Sequence, residues 1–425
     1  MSDLSKFREK IVSIWKNKEI RDKIWFSLII LVVFRLMAAV PVPGVPLDSL
    51  KDLFGDLGFG EVLSMVSGGV LENATIVAIG LGPYINASVI LQLLSSVIPK
   101  LEELQKEGEQ GRKMINMYTR FLTVPLAVLQ SFVIYTGLRQ FGIMEELGAL
   151  DLTLMVATLT GGALIMMWLG ELISESGLGG GSSLIIALGI LAGIPGSVKN
   201  NVAAMDELEV LILVVSAIIL VLAIVFITQA ERQVPIQFAR RVRSIGAAAE
   251  SHIPLKLNQS GVMPVIFAIS MLSFPQLIAR FLTSDKIPDF IKNTSEWLVT
   301  QLDNPYIYNV TLVILIIVFS MFYTFIVFNP AKIAENLQKQ AAFIPGVRPG
   351  HSTVQYLTAS AARLSISGAV FLAVIAVLPS IAKELDIISS NIISGTGLLI
   401  VVGTMLDMKR QVESMVVTRS YESYL

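Results

Sequence analysis

Residues able to do chemistry are rare in the long apolar stretches of this chain. Charged side chains such as Arg35 and Glu171 fall within them, whereas His252 and His351 lie far apart in polar connections and do not suggest a metal site. Ionisable groups in an apolar span are functional candidates because burying a charge in a bilayer is costly. We expect Arg35, near the outer end of its span, to snorkel to the interface or to pair across helices. We expect Glu171, at a cytoplasmic end, to be solvated or paired with a basic loop residue.

The chemistry that is missing narrows the class of function. The chain has no cysteine, which excludes disulfides, thiolate catalysis and Cys-based metal sites. An intramembrane enzyme needs a catalytic pair, and the spans contain no Ser-His pair, no paired aspartates and no H-E-x-x-H motif. A secondary transporter needs a buried carboxylate or cation for coupling, and none is evident. The sequence favours a passive, non-enzymatic conduit without cofactor or metal; lacking a P-loop, it depends on a partner for ATP hydrolysis.

Composition places the chain in a membrane. Apolar residues make up 54% of its 425 residues and charged residues only 15%, against about a quarter in soluble proteins. We expect one membrane domain, and a net charge of -1 gives no reason to expect nucleic acid.

Residues 1–23 are charged and lack a small-residue cleavage site, so they predict an amphipathic cytoplasmic helix rather than a signal peptide.

About ten segments are long or apolar enough to cross a bilayer, which takes roughly 20 helical residues. They lie near 24–40, 74–95, 115–136, 152–173, 183–195, 209–228, 260–281, 307–328, 364–382 and 392–407. An even number places both termini on one side. Lys and Arg cluster before the first span and in the connections on that side, whereas the opposite connections hold only Lys51, Arg139, Lys199, Lys286, Lys292 and Lys383. By the positive-inside rule both termini are cytoplasmic.

Glycine and proline interruptions recur five spans apart. The second span has GLGP at 80–83 and the seventh GVMP at 261–264, while the fifth opens with glycines at 177–181 and the tenth with SGTG at 394–397. Such coincidences predict two inverted halves with a pathway at their interface, 24–195 and 209–407, joined by 196–208 and followed by a cytoplasmic tail, 408–425. The alternative is that Gly and Pro are simply common in membrane helices.

Aliphatic pairs near these interruptions are candidates for lining the pathway. Leu81 and Ile85 are one helical turn apart, as are Ile186 and Ile190. Converging aliphatic side chains would form a hydrophobic constriction that blocks ions by dewetting; the alternative is that they face lipid or neighbouring helices. The short apolar tract at 62–69 is able to re-enter a cavity, or else forms a surface loop.

Two long cytoplasmic connections, 228–257 and 329–363, mix arginines with apolar and turn residues, as docking surfaces do. Within the second, FIPGVRPG at 343–350 stiffens the backbone so that Arg348 projects toward a partner. Binding of anionic lipid head groups is the alternative role for this arginine.

Several motifs together resemble the SecY family, the central subunit of the bacterial protein-conducting channel, over essentially the whole chain. They are PVPG at 41–44, SGG at 67–69, PYINAS at 83–88, KEGE at 106–109 with GRK at 111–113, MWLGE at 167–171, PLKLN at 254–258 and FIPGVRPG at 343–350.

The resemblance implies an all-α polytopic membrane protein with two inverted five-helix halves around a central pore. Its pore ring would comprise Leu81, Ile85, Ile186, Ile190, Ile266 and Ile400. Its plug would span about 61–73, including Val62, Leu63, Met65, Val66, Gly68 and Gly69. Gln92 and Asn258 would lie at a lateral gate between the second and seventh spans, open toward lipid.

The resemblance also implies partners and a location. Arg240, Arg241 and Arg348 would receive the SecA motor or the ribosome, and SecE and SecG would be membrane subunits. Unfolded secretory polypeptides and signal peptides would be the substrates, in the cytoplasmic (inner) membrane. The chain departs from the family pattern in a slightly shorter loop after Arg241, in Gly180 where asparagine is common, and in Val66 where a plug phenylalanine is frequent.

Overall fold

The computed structural model describes residues 17–42, 75–140, 144, 147–202, 205–238, 251–281, 288–384 and 394–422. Most of these residues are helical, and three strands form a small sheet. The helices are α1 (Lys18–Met37), α2 (Gly82–Val97), α3 (Pro99–Lys106), α4 (Glu109–Gln140), α5 (Ala149–Ser176), α6 (Gly181–Val202), α7 (Glu207–Gln229), α8 (Met263–Phe281), α9 (Asp289–Asp303), α10 (Pro305–Val327), α11 (Pro330–Lys339), α12 (His351–Glu384) and α13 (Gly395–Glu422). The strands are β1 (Glu231–Phe238), β2 (Ser251–Lys256) and β3 (Ala342–Phe343).

Each predicted span coincides with a helix, namely α1, α2, α4, α5, α6, α7, α8, α10, α12 and α13. By length and composition, five helical stretches in the described residues can cross a membrane, or six if the bent pair α2 and α3 is one span; α6 and α8 contain shorter apolar helices. Exposed apolar side chains such as Ile219, Leu222 and Phe226 cover α7, as expected of a helix in lipid. The all-α polytopic fold is confirmed; the number ten stays a prediction.

Two boundaries differ from the predicted spans. The second span is predicted from residue 74, but α2 begins only at Gly82, because residues 75–81 form consecutive tight turns that end with Gly80 at φ +61°. At its other end, Pro99 forces Ile98 into an extended conformation, and the chain bends by 106° into α3. The last span is predicted to end at 407, yet α13 continues as a helix to Glu422.

The described chain divides into two compact units. The first comprises 1–204, 269–308 and 404–425, and the second comprises 205–268 and 309–403. The predicted division into 24–195 and 209–407 stays a prediction.

Within the second unit, the strands form an antiparallel sheet in the order β2-β1-β3, with Val234 opposite Ile253 and Gln237 opposite Phe343. Val234, Leu255, Ile344 and Leu357 are its buried core. A loop is predicted over 228–257, although the alternation of Val234, Ile236 and Phe238 is a strand signal. The sheet joins both long connections into one folded element.

Helix α9 is a further element for which no span is predicted. It lies in the first unit, where the side chain of Gln276 on α8 donates a hydrogen bond to Asp303 at its end, Nε2 to Oδ1 3.0 Å. Phe290 and Trp297 on α9 are exposed. An aromatic ring with a polar edge, as in Trp297, suits the membrane interface.

Helices α5 and α6 approach each other through glycine. A Cβ atom on Gly181 would lie 1.9 Å from the carbonyl oxygen of Gly170, whereas one on Gly193, further along α6, would meet nothing within 4 Å. Such close approach of backbones is how small residues pack membrane helices.

Replacing Gly181 by alanine should therefore destabilise the protein by about 1–3 kcal/mol, because the backbone of α5 has to move. Gly193→Ala is the matched control in the same helix and should be neutral or stabilising by about 0.4–1 kcal/mol. The midpoints of thermal unfolding in detergent measure both effects. Equal midpoints for the two variants would contradict the close contact.

Candidate functional site

The first pair of predicted ring residues lies at the start of α2. Leu81 immediately precedes the helix, and the Ile85 amide donates to the Leu81 carbonyl at 2.9 Å, so their side chains are one turn apart. Both are buried. Pro83 in the first turn needs no hydrogen-bond acceptor there, which allows the helix to begin at this point.

The second pair, Ile186 and Ile190, lies near the start of α6; Ile186 is buried and Ile190 half-buried. Three helices of the first unit hold the turn before α6. The Leu178 amide donates to Ser27 Oγ of α1 at 3.0 Å, the Gly181 amide to Ser174 Oγ of α5 at 2.9 Å, and the Gly179 amide to Gln411 Oε1 of α13. Gly179 adopts φ +81°, which favours glycine.

The remaining ring residues, Ile266 and Ile400, are buried in the second unit. Ile266 lies in the first turn of α8, one turn after Val262. A Cβ atom on Gly403, in the third turn of α13, would lie 2.1 Å from Val262 Cγ1, so the turn before α8 is in close contact with α13. Ile266 and Ile400 each lie about one turn from this contact, which brings them into the same region of the second unit.

The predicted plug residues Val62, Leu63, Met65, Val66, Gly68 and Gly69 lie outside the described residues, as do Arg240 and Arg241. Residues 17–42, before the predicted plug segment, and residues 75–140, after it, are described. Pro41 and Thr75 form an antiparallel bridge, and the Ile76 amide donates to the Val40 carbonyl at 3.0 Å. The segment between them therefore leaves and re-enters the described structure at the same point.

The predicted gate residues differ in setting. In α2, Gln92 Nε2 donates to Ser88 Oγ at 3.1 Å, while its buried Oε1 has no hydrogen-bond partner among the described residues. Asn258 lies in the turn before α8 rather than inside a span. Its Nδ2 donates to the Gly261 carbonyl at 2.9 Å and its Oδ1 accepts from Ser260 Oγ at 3.2 Å, so this buried amide shapes the start of α8.

Arg348 projects from a turn that is fixed on both sides. Ile344 is buried in the sheet core, the Val347 amide donates to its carbonyl at 3.1 Å, and Thr353 Oγ1 donates to the Arg348 carbonyl at 3.0 Å. Gly346 and Gly350 have positive φ. The Arg348 side chain is exposed, so the turn presents it as the sequence predicts.

The charged residues within the spans have definite positions. Arg35 is exposed in the last turn of α1, where a positive charge also complements the helix dipole. Glu171 pairs with Arg120, Nε to Oε1 2.9 Å. The sequence predicts that Glu171 is solvated or paired with a basic loop residue, but its partner Arg120 belongs to α4. The sequence signal for this pair is that Arg120 is a charged residue inside the predicted third span.

Helices able to cross a bilayer, with aliphatic pairs at or near glycine-rich helix starts, together define a polytopic helical membrane channel. The family model for SecY matches residues 75–409. The protein translocase subunit SecY of Streptomyces galbus is 38% identical over 97% of this chain and 98% of its own length. The chain belongs to the SecY family, whose members are protein-translocating channel subunits.

Solved structures support the same fold. A structure of SecY, described for the role of its plug domain in stabilising the closed translocation channel and maintaining a membrane seal, matches with a TM-score of 0.66 at 18% identity, covering 93% of this chain and 92% of that one. Canine Sec61 in the ribosome–channel complex from the endoplasmic reticulum matches with a TM-score of 0.63 at 17% identity, with the same coverage.

If Asn258 belongs to a lateral gate, replacing it by leucine should alter gating, because the turn before α8 loses both hydrogen bonds that the amide makes. We expect a measurable shift in translocation of a substrate with a weakened signal sequence, with Asn258→Asp intermediate because it keeps the acceptor for Ser260. Asn293→Leu, at an exposed position of α9, is the control. Equal translocation by the Asn258→Leu variant and the parent would remove Asn258 from the gate.

Proposed function

We propose that this chain forms the conduit for unfolded secretory polypeptides in a bacterial protein translocase, and that it releases transmembrane segments sideways into lipid. One observation carries the proposal: the six predicted ring residues lie immediately before or within the first three turns of α2, α6, α8 and α13, helices that each begin at or shortly after a glycine. These are the second, fifth, seventh and tenth predicted spans, the positions that correspond in two inverted halves.

The ring acts by shape and hydrophobicity rather than by chemistry. Leucine and isoleucine side chains offer no hydrogen bonds or charge to water or ions, so a constriction made of them excludes both by dewetting. Such a ring also has no polar group that would favour one polypeptide sequence over another. A translocating segment pushes the aliphatic side chains aside, and the seal reforms when it has passed.

The plug and gate proposals rest on separate features. The bridge between Pro41 and Thr75 closes the base of the segment that contains 61–73, which suits a plug that is displaced without moving its ends. Gln92 carries a buried carbonyl oxygen with no hydrogen-bond partner in the part of the chain that the structure describes, and Asn258 is a buried polar residue in the turn before α8. Buried polar groups make a helix contact easier to open than an all-apolar contact.

The proposed orientation has both termini in the cytoplasm, with the sheet and its turn at 344–350 facing a motor. The candidates are the ribosome, supported by likeness to canine Sec61 in its ribosome complex, and the SecA ATPase. SecE and SecG are the proposed membrane subunits, and the cytoplasmic membrane the proposed location. The channel itself needs no cofactor.

Replacing Ile85 and Ile190 by glycine should let small ions leak through the resting channel, because the constriction widens. Ile219→Gly is the matched control: it makes the same change in a helix at a side chain that is 59% exposed. Conductance of the reconstituted protein in planar bilayers measures the leak. If the double variant conducts no more than the Ile219→Gly protein, these residues do not form the seal.

Replacing Arg348 by glutamate should weaken motor docking without disturbing the fold. The Arg348 side chain projects away from the hydrophobic core that supports its turn. A buried interfacial charge contact is worth about 2–5 kcal/mol, and one at a rim less. Motor-driven transport and motor binding are the measurements, with co-purification of SecE as the test of assembly.

Arg232→Glu makes the same charge change at an exposed position of β1 and tests whether overall charge matters. Transport at the parent rate by the Arg348→Glu protein would exclude this turn as the docking site while leaving the channel function intact.

A further inference from the structure

The ion pair between Arg120 and Glu171 links two helices of the first unit at a distance of 2.9 Å, although the residues are 51 positions apart. The Glu171 side chain is only 13% exposed and that of Arg120 47%. The pair of Lys113 and Glu109, by contrast, joins side chains that are 75% and 84% exposed within one helix. A carboxylate as buried as Glu171 depends on its partner far more than Glu109 does.

The turns before α2 contact α5, where a Cβ atom on Gly162 would lie 2.0 Å from the Ile76 carbonyl oxygen, and Tyr84 lies in the first turn of α2. It lies between Leu81 and Ile85, the two predicted ring residues at the start of the same helix. Helix α2 packs against both α4 and α5. The ion pair therefore joins two helices that both pack against α2, the helix that begins at the first pair of predicted ring residues.

Glu171 is also coupled to the second ring segment through its neighbours on α5. Gly170 contacts the start of α6 so closely that a Cβ on Gly181 would clash with its carbonyl. Ser174 Oγ accepts the Gly181 amide at 2.9 Å. A shift of α5 around Glu171 would thus move the start of α6, and with it Ile186 and Ile190.

We propose that Arg120 and Glu171 are positioning residues for the seal: their ion pair fixes the starts of α2 and α6 and so holds the ring closed at rest. The proposal rests on the proposed channel function. Breaking the pair leaves the ring side chains unchanged but frees the two segments to move apart. The closed population then falls, because the interaction that favours it is lost.

The test uses four variants of the reconstituted complex, with resting ion conductance in planar bilayers as the readout. Arg120→Gln and Glu171→Gln should each raise conductance several-fold. The charge-swapped Arg120→Glu/Glu171→Arg protein should recover most of the seal, because the pair can form in reverse. Glu109→Gln, which breaks the exposed pair of α4, should conduct like the parent.

A single variant that leaves one charge buried is at risk of misfolding, so the neutral Arg120→Gln/Glu171→Gln protein is the second probe. It contains no uncompensated charge and should fold with a thermal midpoint near that of the parent, yet leak. It should also translocate a substrate with a weakened signal sequence more readily. A merely structural pair would lower the midpoint without producing either effect.

The outcomes separate this proposal from the channel function. One outcome is that the Ile85→Gly/Ile190→Gly protein leaks while the neutral double variant folds and seals like the parent. That outcome overturns the positioning role of the ion pair and supports the ring assignment. If the neutral double variant leaks only in proportion to lost stability, the positioning role is likewise overturned. If the glycine variant itself does not leak, the ring assignment fails first.

Discussion

Every backbone N–H and C=O inside a bilayer must find a partner within the protein, and this constraint shapes the predicted conducting region. A helix that begins part-way along a span exposes several amide groups that have no carbonyl of their own helix to bond. At α6, Ser174 accepts a hydrogen bond from the amide of the first helical residue, Gly181. Ser27 and Gln411 accept hydrogen bonds from the amides of Leu178 and Gly179 in the turn before it. At α2, Pro83 removes one such donor altogether, because proline has no amide hydrogen.

Glycine makes these helix starts compatible with tight packing. At Gly181, and likewise at Gly395, which lies against the carbonyls of Ile375 and Ala376, a side chain would collide with a neighbouring backbone. Close backbone contact limits how far the start of each helix can move. The aliphatic residues one or two turns later are therefore held in fixed positions as well. A seal made of a few side chains needs such fixed positions, because dewetting depends steeply on the width of the constriction.

Much of the fold is predictable from the sequence because long apolar runs have few alternatives in a bilayer. Each predicted span coincides with a helix, and Arg348 is exposed in a stiff turn as expected. The ion pair of Arg120 and Glu171 is harder to predict, since it depends on how α4 and α5 are aligned and not on local spacing. The same holds for Asn258, whose hydrogen bonds to Gly261 and Ser260 become evident only with the turn geometry.

The most direct test of the account uses the absence of cysteine from the chain, which makes any introduced thiol unique. Cysteine is placed singly at Ile85, Ile190, Ile266, Ile400 or the exposed Ile219, and disulfide formation is measured to a single cysteine in a polypeptide arrested midway through the membrane. The account predicts crosslinks from all four ring positions, on both units, and none from Ile219. Transport that proceeds while the ring positions crosslink no more than Ile219 would contradict it.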